Sequence, residues 1–522
     1  MQKKEDLKKI LWVDDEIDLL KSHVIFLNER GFDVTAVSSG FDAVQEVKKT
    51  AFDLVLLDEM MPGMDGLATM AEIKELNPNL PVVMITKNEE EDLMEQAIGK
   101  QITDYLTKPV NPSQVLMVAK RILESKKIIR TQFTRDYVEQ SNRLRTRLYS
   151  PMGPDDWIET HRLLSAWDVE IDRNPDVGFG EMQADFRKEC DTEFCKYFEK
   201  AYPSWLKSRN HPILSHQVVG EFVIPHLRRK KRVYFIVIDC MRYDQWLTIE
   251  PILAEYFQIH KDYYFSILPT ATPFSRNSIF AGEFPDVIAE ILPNMWRNGG
   301  KSDASLNADE DLLLKRQLEK KFVEFDGEIR YAKVLEQKEG ETLAKKIATY
   351  QSINLMAMVF NFLDLMAHGR SESDILLEIA PDESAFRSLM RSWFMHSSLF
   401  AILKYLATMD CKVVITTDHG SILARKETTV KGRKEASTNL RYKYGDNLNC
   451  NKREVLLAKN PEDFRLPRFG VSTTYIFAKE DYYFVYPTQY HHYVSKYANT
   501  FQHGGISTAE VILPVITLTP KG

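Results

Sequence analysis

Cysteine is scarce in this sequence, with five residues in a chain of 522. The number is odd, and no two of them form a Cys-x-x-Cys pair: they are Cys190, Cys195, Cys240, Cys411 and Cys450. This pattern excludes a disulfide framework and a zinc site built on cysteine as organising features. We therefore expect a reducing compartment, of which the cytoplasm is the simplest.

Long apolar runs are missing as well, since no segment approaches the roughly 18 residues that a membrane-spanning helix needs. The opening residues MQKKEDLKKI are charged and lack the apolar stretch of a signal peptide. The net charge of -7 is mild and gives no global nucleic-acid signature. With 44% hydrophobic and 27% charged residues, the composition predicts a soluble, cytoplasmic protein with no membrane association.

The residue pattern changes character twice along the chain. Strand and helix signals alternate up to about residue 124, which predicts a doubly wound parallel sheet covered on both faces. Amphipathic helical spacing follows, and a second α/β pattern begins near Arg232 with RVYFIVIDCMRYD. We predict an α/β multidomain protein with an α/β domain at 1–124, a helical bundle or linker at 125–228 and a second α/β domain at 229–522.

Polar residues stand at the ends of successive strands in the first region. Asp14 and Asp15 follow ILWV, Asp58 ends FDLVLL, Thr86 ends PVVMI, and Lys108 follows DYLT. Because the carboxyl ends of parallel strands meet at one edge, these side chains should converge. Three carboxylates there suit a magnesium ion, and a lysine with a hydroxyl can hold an added phosphoryl group.

This spacing, with MMPGMDG after Asp58 and Pro109 after Lys108, resembles the receiver domain of two-component response regulators. The resemblance implies a flavodoxin-like fold, one magnesium ion and phosphorylation of Asp58 by a sensor histidine kinase. It assigns magnesium to Asp14, Asp15 and Asp58, and the phosphorylation switch to Thr86, Tyr105 and Lys108. In physical terms, the added charge would draw Thr86 inward and bias a two-state surface.

The region after Ser125 offers no compact three-helix module with a basic recognition helix. Direct binding to an operator is therefore the disfavoured output.

A second set of polar residues follows the strands of the C-terminal region. Asp418 and His419 end VVITTDHG, and alone they are ordinary turn residues. Asp239 ends VYFIVI, and His503 lies in the glycine-rich TFQHGG. Asp364 and His368 are spaced to share one face of a helix.

Mixed carboxylate and imidazole ligands suit zinc, and two such ions can clamp a phosphoryl group. Thr272 lies where LPTATPFSRNSIFAG enters a helix. A hydroxyl at that point is usually an N-cap, although a helix start also binds phosphate well. His491 and His492 are rival metal ligands, but QYHHY looks like a strand, which would point the two rings to opposite faces.

The chain order of these residues resembles the alkaline phosphatase superfamily, most closely the PglZ-type domains, over about 230–518. The resemblance implies an alkaline-phosphatase-like α/β sandwich with two zinc ions and Thr272 as nucleophile. It assigns Asp239, Thr272, Asp418 and His419 to one zinc. It assigns Asp364, His368 and His503 to the other. A metal-binding but inactive domain is the alternative within this family.

A receiver, a helical middle and a PglZ-type domain together resemble a family of response regulators associated with type IX secretion in Bacteroidota. The leading hypothesis is a zinc-dependent phosphodiesterase that acts on nucleotide or oligonucleotide phosphodiesters. Phosphorylation of Asp58 would control it by favouring a homodimer. The alternative is a phosphorylation-dependent scaffold that binds a sigma factor or a secretion-motor component.

The resemblance favours phosphodiesters, and one local feature agrees with an extended anionic substrate. Residues 425–460 hold ten Lys or Arg residues against four Asp or Glu, with Tyr442 and Tyr444 among them. Such a segment can track a phosphate backbone, although a solvated loop is the plainer interpretation. Arg242 and Arg276 lie near the predicted ligands and are candidates for bidentate contact with phosphate.

Overall fold

The computed structural model describes residues 7–78, 80–87, 102–175, 178–293, 307–323, 327–350, 353–369, 374–431 and 439–521, without the side chains of 124–131, 374–375 and 489. The chain divides into two compact units, Met1–Glu139 and Gln140–Gly522. Among the described residues, no helix has the length and apolarity to cross a bilayer.

The N-terminal unit is built on a five-stranded parallel sheet in the order β2-β1-β3-β4-β5. The strands are β1 Lys8–Val13, β2 Phe32–Val37, β3 Leu54–Asp58, β4 Val82–Thr86 and β5 Asp104–Thr107. Strand β3 is buried throughout because helices cover both faces of the sheet. All five predicted strands are present.

The helices described for this unit are α1 Lys21–Asn28, α2 Gly40–Lys49 and α3 Gly66–Leu76, with a 3-10 turn at Ile17–Leu20. Ser39 and Asp65 cap α2 and α3, since their side chains accept hydrogen bonds from Asp42 N at 3.2 Å and Ala68 N at 2.7 Å. A long helix, α4, spans Pro112–Leu148.

The C-terminal unit is built on a six-stranded mixed sheet in the order β7-β18-β10-β6-β9-β8. The strands are β6 Val233–Ile238, β7 Phe257–Phe265, β8 Glu328–Val334, β9 Ile353–Phe360, β10 Lys412–Thr416 and β18 Ile512–Pro520. Strands β8, β9, β6 and β10 are parallel, and β18 runs antiparallel to its neighbours β10 and β7. Every residue of β6 is buried, as expected of a central strand covered on both faces.

Smaller sheets complete this unit. One pairs β11 Ile422–Ala424 with β17 Thr500–Gln502, and another pairs β12 Lys426–Thr429 with β16 Tyr482–Val485. In the third, β15 Thr473–Ala478 lies between β13 Tyr442–Asp446 and β14 Val455–Ala458.

The helices described after α4 are α5 Pro154–Arg173, α6 Gly180–Trp205, α7 Ile224–Arg228, α8 Tyr243–Leu253, α9 Thr272–Ala281, α10 Pro285–Ile291, α11 Glu310–Lys320, α12 Gln337–Lys346, α13 Phe362–Gly369, α14 Asp374–Ile379, α15 Glu383–His396, α16 Ser398–Leu406, α17 Tyr490–Tyr497 and α18 Thr508–Val511.

The middle helices belong to the same compact unit as the second sheet. Trp157 on α5 packs edge-on against Phe194 on α6, with ring centroids 5.2 Å apart. Helix α6 also contacts the C-terminal region, because the Tyr202 hydroxyl accepts a hydrogen bond from Leu268 N at 2.9 Å. On α5, Asp172 accepts hydrogen bonds from the Arg387 guanidinium at 2.6 and 2.9 Å. The helical middle is thus fastened to the domain that follows it.

Candidate functional site

The acidic edge of the N-terminal sheet assembles at three strand ends. Asp14 follows β1, Asp58 ends β3, and Lys108 follows β5. One carboxylate oxygen from each of Asp14, Asp15 and Asp58 lies within 4.8 Å of the others. The Lys108 ammonium lies 2.9 Å from both Asp14 Oδ2 and Asp58 Oδ2. Three carboxylates with one lysine fit a hard divalent cation, for which oxygen ligands are preferred.

Burial dominates the electrostatics of Asp58, which is 4% exposed. It raises the pKa of Asp58 above the ordinary value, although the hydrogen bond and charge of Lys108 oppose it. Burial lowers the pKa of Lys108, but the hydrogen bonds that Lys108 donates to Asp58 and Asp14 outweigh burial and raise this pKa overall. A nearby cation would therefore stabilise the ionised form of the Asp58 carboxylate.

The two remaining predicted switch residues lie on adjacent strands. Thr86 ends β4 and is partly buried, whereas Tyr105 on β5 is 47% exposed. Their roles in a phosphorylation switch stay predictions.

The C-terminal site forms at the carboxyl ends of three neighbouring parallel strands, β10, β6 and β9. Asp239 directly follows β6, Asp418 and His419 follow β10, and Asp364 lies on α13 just after β9. One ligand atom from each of Asp239, Asp418 and His419 lies within 4.8 Å of the others. All three side chains are fully buried.

Thr272 is the first residue of α9, and its hydroxyl faces this group. Its Oγ1 lies 2.9 Å from His419 Nε2 and 3.4 Å from Asp239 Oδ1. The N-cap position is occupied by Ala271, so the Thr272 hydroxyl does not serve as the cap. The side chain is 8% exposed and points at the predicted ligands.

A second group shares His419. Asp364, His419 and His503 also offer ligand atoms within 4.8 Å of one another. His368 joins Asp364 and His503, because its Nε2 lies 3.3 Å from Asp364 Oδ1 and 3.1 Å from His503 Nε2. The predicted set of Asp364, His368 and His503 is brought together, with His368 at the more open side, 52% of its side chain being exposed.

His419 and His503 each direct the unprotonated ring nitrogen toward the two groups of predicted metal ligands. His419 Nδ1 lies 3.1 Å from the Gly420 carbonyl and His503 Nδ1 lies 3.3 Å from the Thr270 carbonyl. A carbonyl only accepts, so both Nδ1 atoms carry the proton and both Nε2 atoms are free to bind a cation. This is the arrangement that metal-binding histidines adopt.

The buried carboxylates also fit metal binding. Asp418 Oδ1 accepts from His419 N at 3.1 Å, while the buried Asp418 Oδ2 has no hydrogen-bond donor among the described residues. Burial and the neighbouring carboxylates Asp418 and Asp364 raise the pKa of Asp239, although Arg276 opposes this. Buried oxygens without donors suit a bound cation, so the donor set fits zinc or a similar ion.

Arg242 and Arg276, the predicted phosphate contacts, are both paired with carboxylates, and their contact with phosphate stays a prediction. Arg276 is buried, with Nη1 2.5 Å from Asp239 Oδ2 and Nε 2.5 Å from Glu310 Oε1. Arg242 donates to Asp244 at 2.9 and 2.7 Å and to Glu383 at 3.2 Å. Both guanidinium groups are occupied by carboxylates, because a buried charge must be paired.

Sequence reasoning also missed the partners of Asp239. Asn361, directly after β9, donates from Nδ2 to Asp239 Oδ2 at 2.7 Å. With Arg276 it fixes the outer oxygen of Asp239 and leaves Oδ1 facing Thr272 and His419. Asn361 directly follows an apolar strand, as Asp239 does, and this position could have indicated its role from the sequence.

Gly420 follows the ligand pair for a steric reason. A Cβ on Gly420 would lie 2.0 Å from the backbone oxygen of Ala509. The glycine is therefore required by the close approach of the segment before β18, and not by a left-handed turn.

Two other expectations are corrected. His491 and His492 lie on helix α17 and are exposed, so QYHHY is not a strand and neither ring reaches the groups described above. In the basic segment 425–460, Arg441 and Lys443 are buried, and Arg441 is paired with Glu510 at 2.5 Å. The segment is therefore not a continuous basic track; its residues 432–438 lie outside the described part of the chain.

Comparison with protein families matches three successive models along the chain. They are a response regulator receiver domain at residues 10–120, a PorX response regulator linker domain at 127–206, and a BREX system PglZ alkaline phosphatase-like domain at 218–518. Fold and sites together define a response regulator with a receiver domain and an alkaline phosphatase-like effector domain. The chain belongs to the PglZ alkaline phosphatase-like family, whose model covers more than half of it, and its domain order is that of a PorX-like response regulator. The predicted fold class is confirmed.

Curated transcriptional regulatory proteins are similar to part of this chain. The transcriptional regulatory protein ZraR of Escherichia coli K12 is 39% identical over 102 residues, which are 20% of this chain and 23% of that protein. The CpxR homologue of Haemophilus influenzae is 35% identical over 119 residues, 22% of this chain and 51% of that protein. The chain thus spans about a quarter to a half of these relatives.

Solved receiver structures match the same region. The receiver domain of NtrX from Brucella abortus is 34% identical, with 22% of this chain and 98% of that chain covered and a TM-score of 0.21. The chemotaxis protein CheY4 of Vibrio cholerae is 26% identical, with 22% and 99% covered and a TM-score of 0.22.

Proposed function

We propose that this response regulator is phosphorylated on Asp58 by a sensor histidine kinase, and that its output is a two-zinc phosphodiesterase. The observation that carries the proposal is the position of the Thr272 hydroxyl. It lies 2.9 Å from His419 Nε2, the one imidazole common to both groups of ligand atoms. A hydroxyl beside a ligand that two candidate cation-binding groups share suits a nucleophile for phosphoryl transfer.

The first zinc would be held by Asp239, Thr272, Asp418 and His419, and the second by Asp364, His368 and His503. When bound, the ions would neutralise the charge of the phosphoryl group and lower the pKa of the Thr272 hydroxyl. The chain supplies the positioning: α9 holds Thr272 rigidly, and Asn361 with Arg276 orients Asp239. The amino end of α9 adds a positive dipole beside the phosphate.

The reaction proceeds in two displacements. Thr272 Oγ1 forms a bond to phosphorus while one ester oxygen leaves and takes a proton. Water then cleaves the ester of Thr272, which restores the hydroxyl and releases a phosphomonoester. We propose nucleotides or oligonucleotides as substrates and cytoplasmic control of type IX secretion as the setting. A sigma factor or a secretion-motor component is the proposed further partner.

A substrate panel tests this function. The purified protein should hydrolyse at least one member of a set of linear and cyclic oligonucleotides, and pretreatment with acetyl phosphate should change the rate. The Asp58→Ala variant should hydrolyse the same substrate without responding to acetyl phosphate. Product formation is followed by chromatography. Zinc-loaded protein that hydrolyses none of the panel would contradict the phosphodiesterase and favour the scaffold alternative.

The receiver should change the oligomeric state. Beryllofluoride with magnesium mimics the phosphoryl group on Asp58, and we expect it to shift the protein from monomer to homodimer in sedimentation velocity. The reason is that added charge at Asp58 recruits Thr86 and Lys108 and reshapes the surface near Tyr105. Asp58→Ala is the matched control and should not respond. Identical sedimentation of the wild type with and without beryllofluoride would refute dimerisation as the switch.

A further inference from the structure

A cavity outside the two sites lies between the middle helices and the C-terminal domain. Its volume is about 240 Å³. One wall comes from α5 and α6, and the opposite wall from the segments that follow Asp239 and His419, through Arg242, Ile422 and Leu423. None of the predicted zinc ligands lines it. The volume lies just below the range of about 300–1,000 Å³ for drug-sized ligands, so it suits a small molecule.

Two buried polar side chains in this cavity lack partners. His161 and Ser165 are one helical turn apart on α5, and each is 1% exposed. Neither ring nitrogen of His161 nor the hydroxyl of Ser165 has a hydrogen-bond partner within the described ranges. Burial lowers the pKa of His161 to about 3, so the ring is neutral and offers one donor and one acceptor. Buried polar atoms of this kind are normally satisfied, here by something the cavity holds.

Seven carboxylates line the cavity, and most of them already have a donor or a paired cation; they are Asp168, Asp185, Asp191, Asp244, Glu383, Glu480 and Asp481. Asp191 accepts from Thr508 at 2.8 and 2.7 Å, and Asp481 pairs with Lys426 at 3.0 Å. Asp168 accepts from Gln183 Nε2 at 2.7 Å and from Arg187. Asp244 accepts from Arg242 and, at 2.8 Å, from Arg387 Nη1. They therefore offer little to a cationic ligand.

Positive charge with spare donors remains at the cavity. Arg187 uses one nitrogen for its bond to Asp168. Arg425 lies 3.8 Å from Glu383, beyond hydrogen-bonding distance. Lys188, exposed on α6, has no ion pair in the described part of the chain. These three cations can bind an oxyanion, while the more deeply buried His161 and Ser165 remain for neutral groups.

We propose that this cavity is a ligand site for a small molecule that carries both an oxyanion and hydroxyl groups. Arg187, Lys188 and Arg425 bind the oxyanion, and Ser165 and His161 bind the hydroxyl groups. A phosphate ester and a carboxylate share this chemistry. The site is separate from the proposed phosphodiesterase centre, and its wall includes the segments that begin three residues after Asp239 and His419.

Titration calorimetry on the full-length protein tests the site with three matched probes. Glycerol 3-phosphate carries a phosphate, glycerate carries a carboxylate, and glycerol carries neither. We expect saturable binding of at least one of the two anions and none of glycerol. The anion that binds more tightly identifies the source of the oxyanion.

Variants locate the binding. Ser165→Ala should weaken it about 5-fold, and Lys188→Ala combined with Arg425→Ala should weaken it about 10-fold or more. The first removes a hydroxyl without a partner and the second changes exposed side chains, so both should fold. Lys196→Ala, on the same helix α6 and paired with Glu193, is the matched control and should bind as the wild type does.

Two results would overturn the proposal. One is no saturable binding of either anion, which would mean that ordered water alone fills the cavity. The other is equal affinity in the wild type and the cavity variants, which would place the anion elsewhere, for example at the predicted zinc ligands. Neither result bears on hydrolysis by Thr272.

Discussion

Thr272→Ala should lower the turnover of a chromogenic phosphodiester by at least about 10³-fold, because the variant lacks the only atom that this mechanism allows to attack phosphorus. The expected loss is in turnover, since the carboxylates and imidazoles that would bind the metal remain. Initial rates with bis(p-nitrophenyl) phosphate measure it, and zinc content measured in the same samples should stay near that of the wild type.

Two matched variants sharpen this test. Thr272→Ser keeps the hydroxyl and should retain far more activity than Thr272→Ala. Ser278→Ala removes another buried hydroxyl from the same helix, one without a partner among the described residues, and should leave turnover unchanged. If Thr272→Ala hydrolyses the diester at the wild-type rate, Thr272 is not the nucleophile.

His419→Ala should remove zinc from both groups, although the family resemblance and the ligand sets proposed above assign His419 to the first zinc alone. Its ring belongs to the group with Asp239 and Asp418 and also to the group with Asp364 and His503. We expect metal analysis to give about two zincs per chain for the wild type and less than one for the variant. Diester turnover should fall with the metal, by at least about 10²-fold.

The exposed His491 on α17 provides the control. His491→Ala removes an imidazole of equal intrinsic zinc affinity from outside the site and should keep the full zinc content. A thermal unfolding curve distinguishes lost metal from a lost fold. If His419→Ala retains one tightly bound zinc, the His419 imidazole binds only one of the two ions, as the family resemblance implies.

The strand ends account for what could be predicted from sequence. An apolar run followed at once by an acid marks a buried parallel strand that ends at the ligand edge, and Asp14, Asp58 and Asp239 obey this rule. Asp418 follows its strand after two threonines. The pairing of Asp364 with His368 followed from helical spacing. Such features are local, so one sequence carries them.

The features that could not be predicted from the sequence depend on tertiary packing. The bond from Arg276 to Asp239 joins α9 to the end of β6, and no local pattern encodes it. Helix α17 was mistaken for a strand because aromatic residues favour strands. The spacing of Tyr490, Tyr493 and Tyr497, which pack together against the small core near Ile422, was the helical signal.

The position of strand β18 sets an order on biosynthesis. Residues 512–520 form an interior strand, hydrogen-bonded to β10 on one side and to β7 on the other. The strand ends that carry Asp418 and His419 are therefore not locked in place until the ribosome has translated at least residue 520, whereas the receiver sheet is complete by residue 107. A nascent chain can thus complete the sheet that carries Asp58 some 400 codons before the sheet that carries Asp239 and Asp418. A prematurely released chain would therefore hold a complete receiver sheet beside a C-terminal sheet that lacks one of its interior strands.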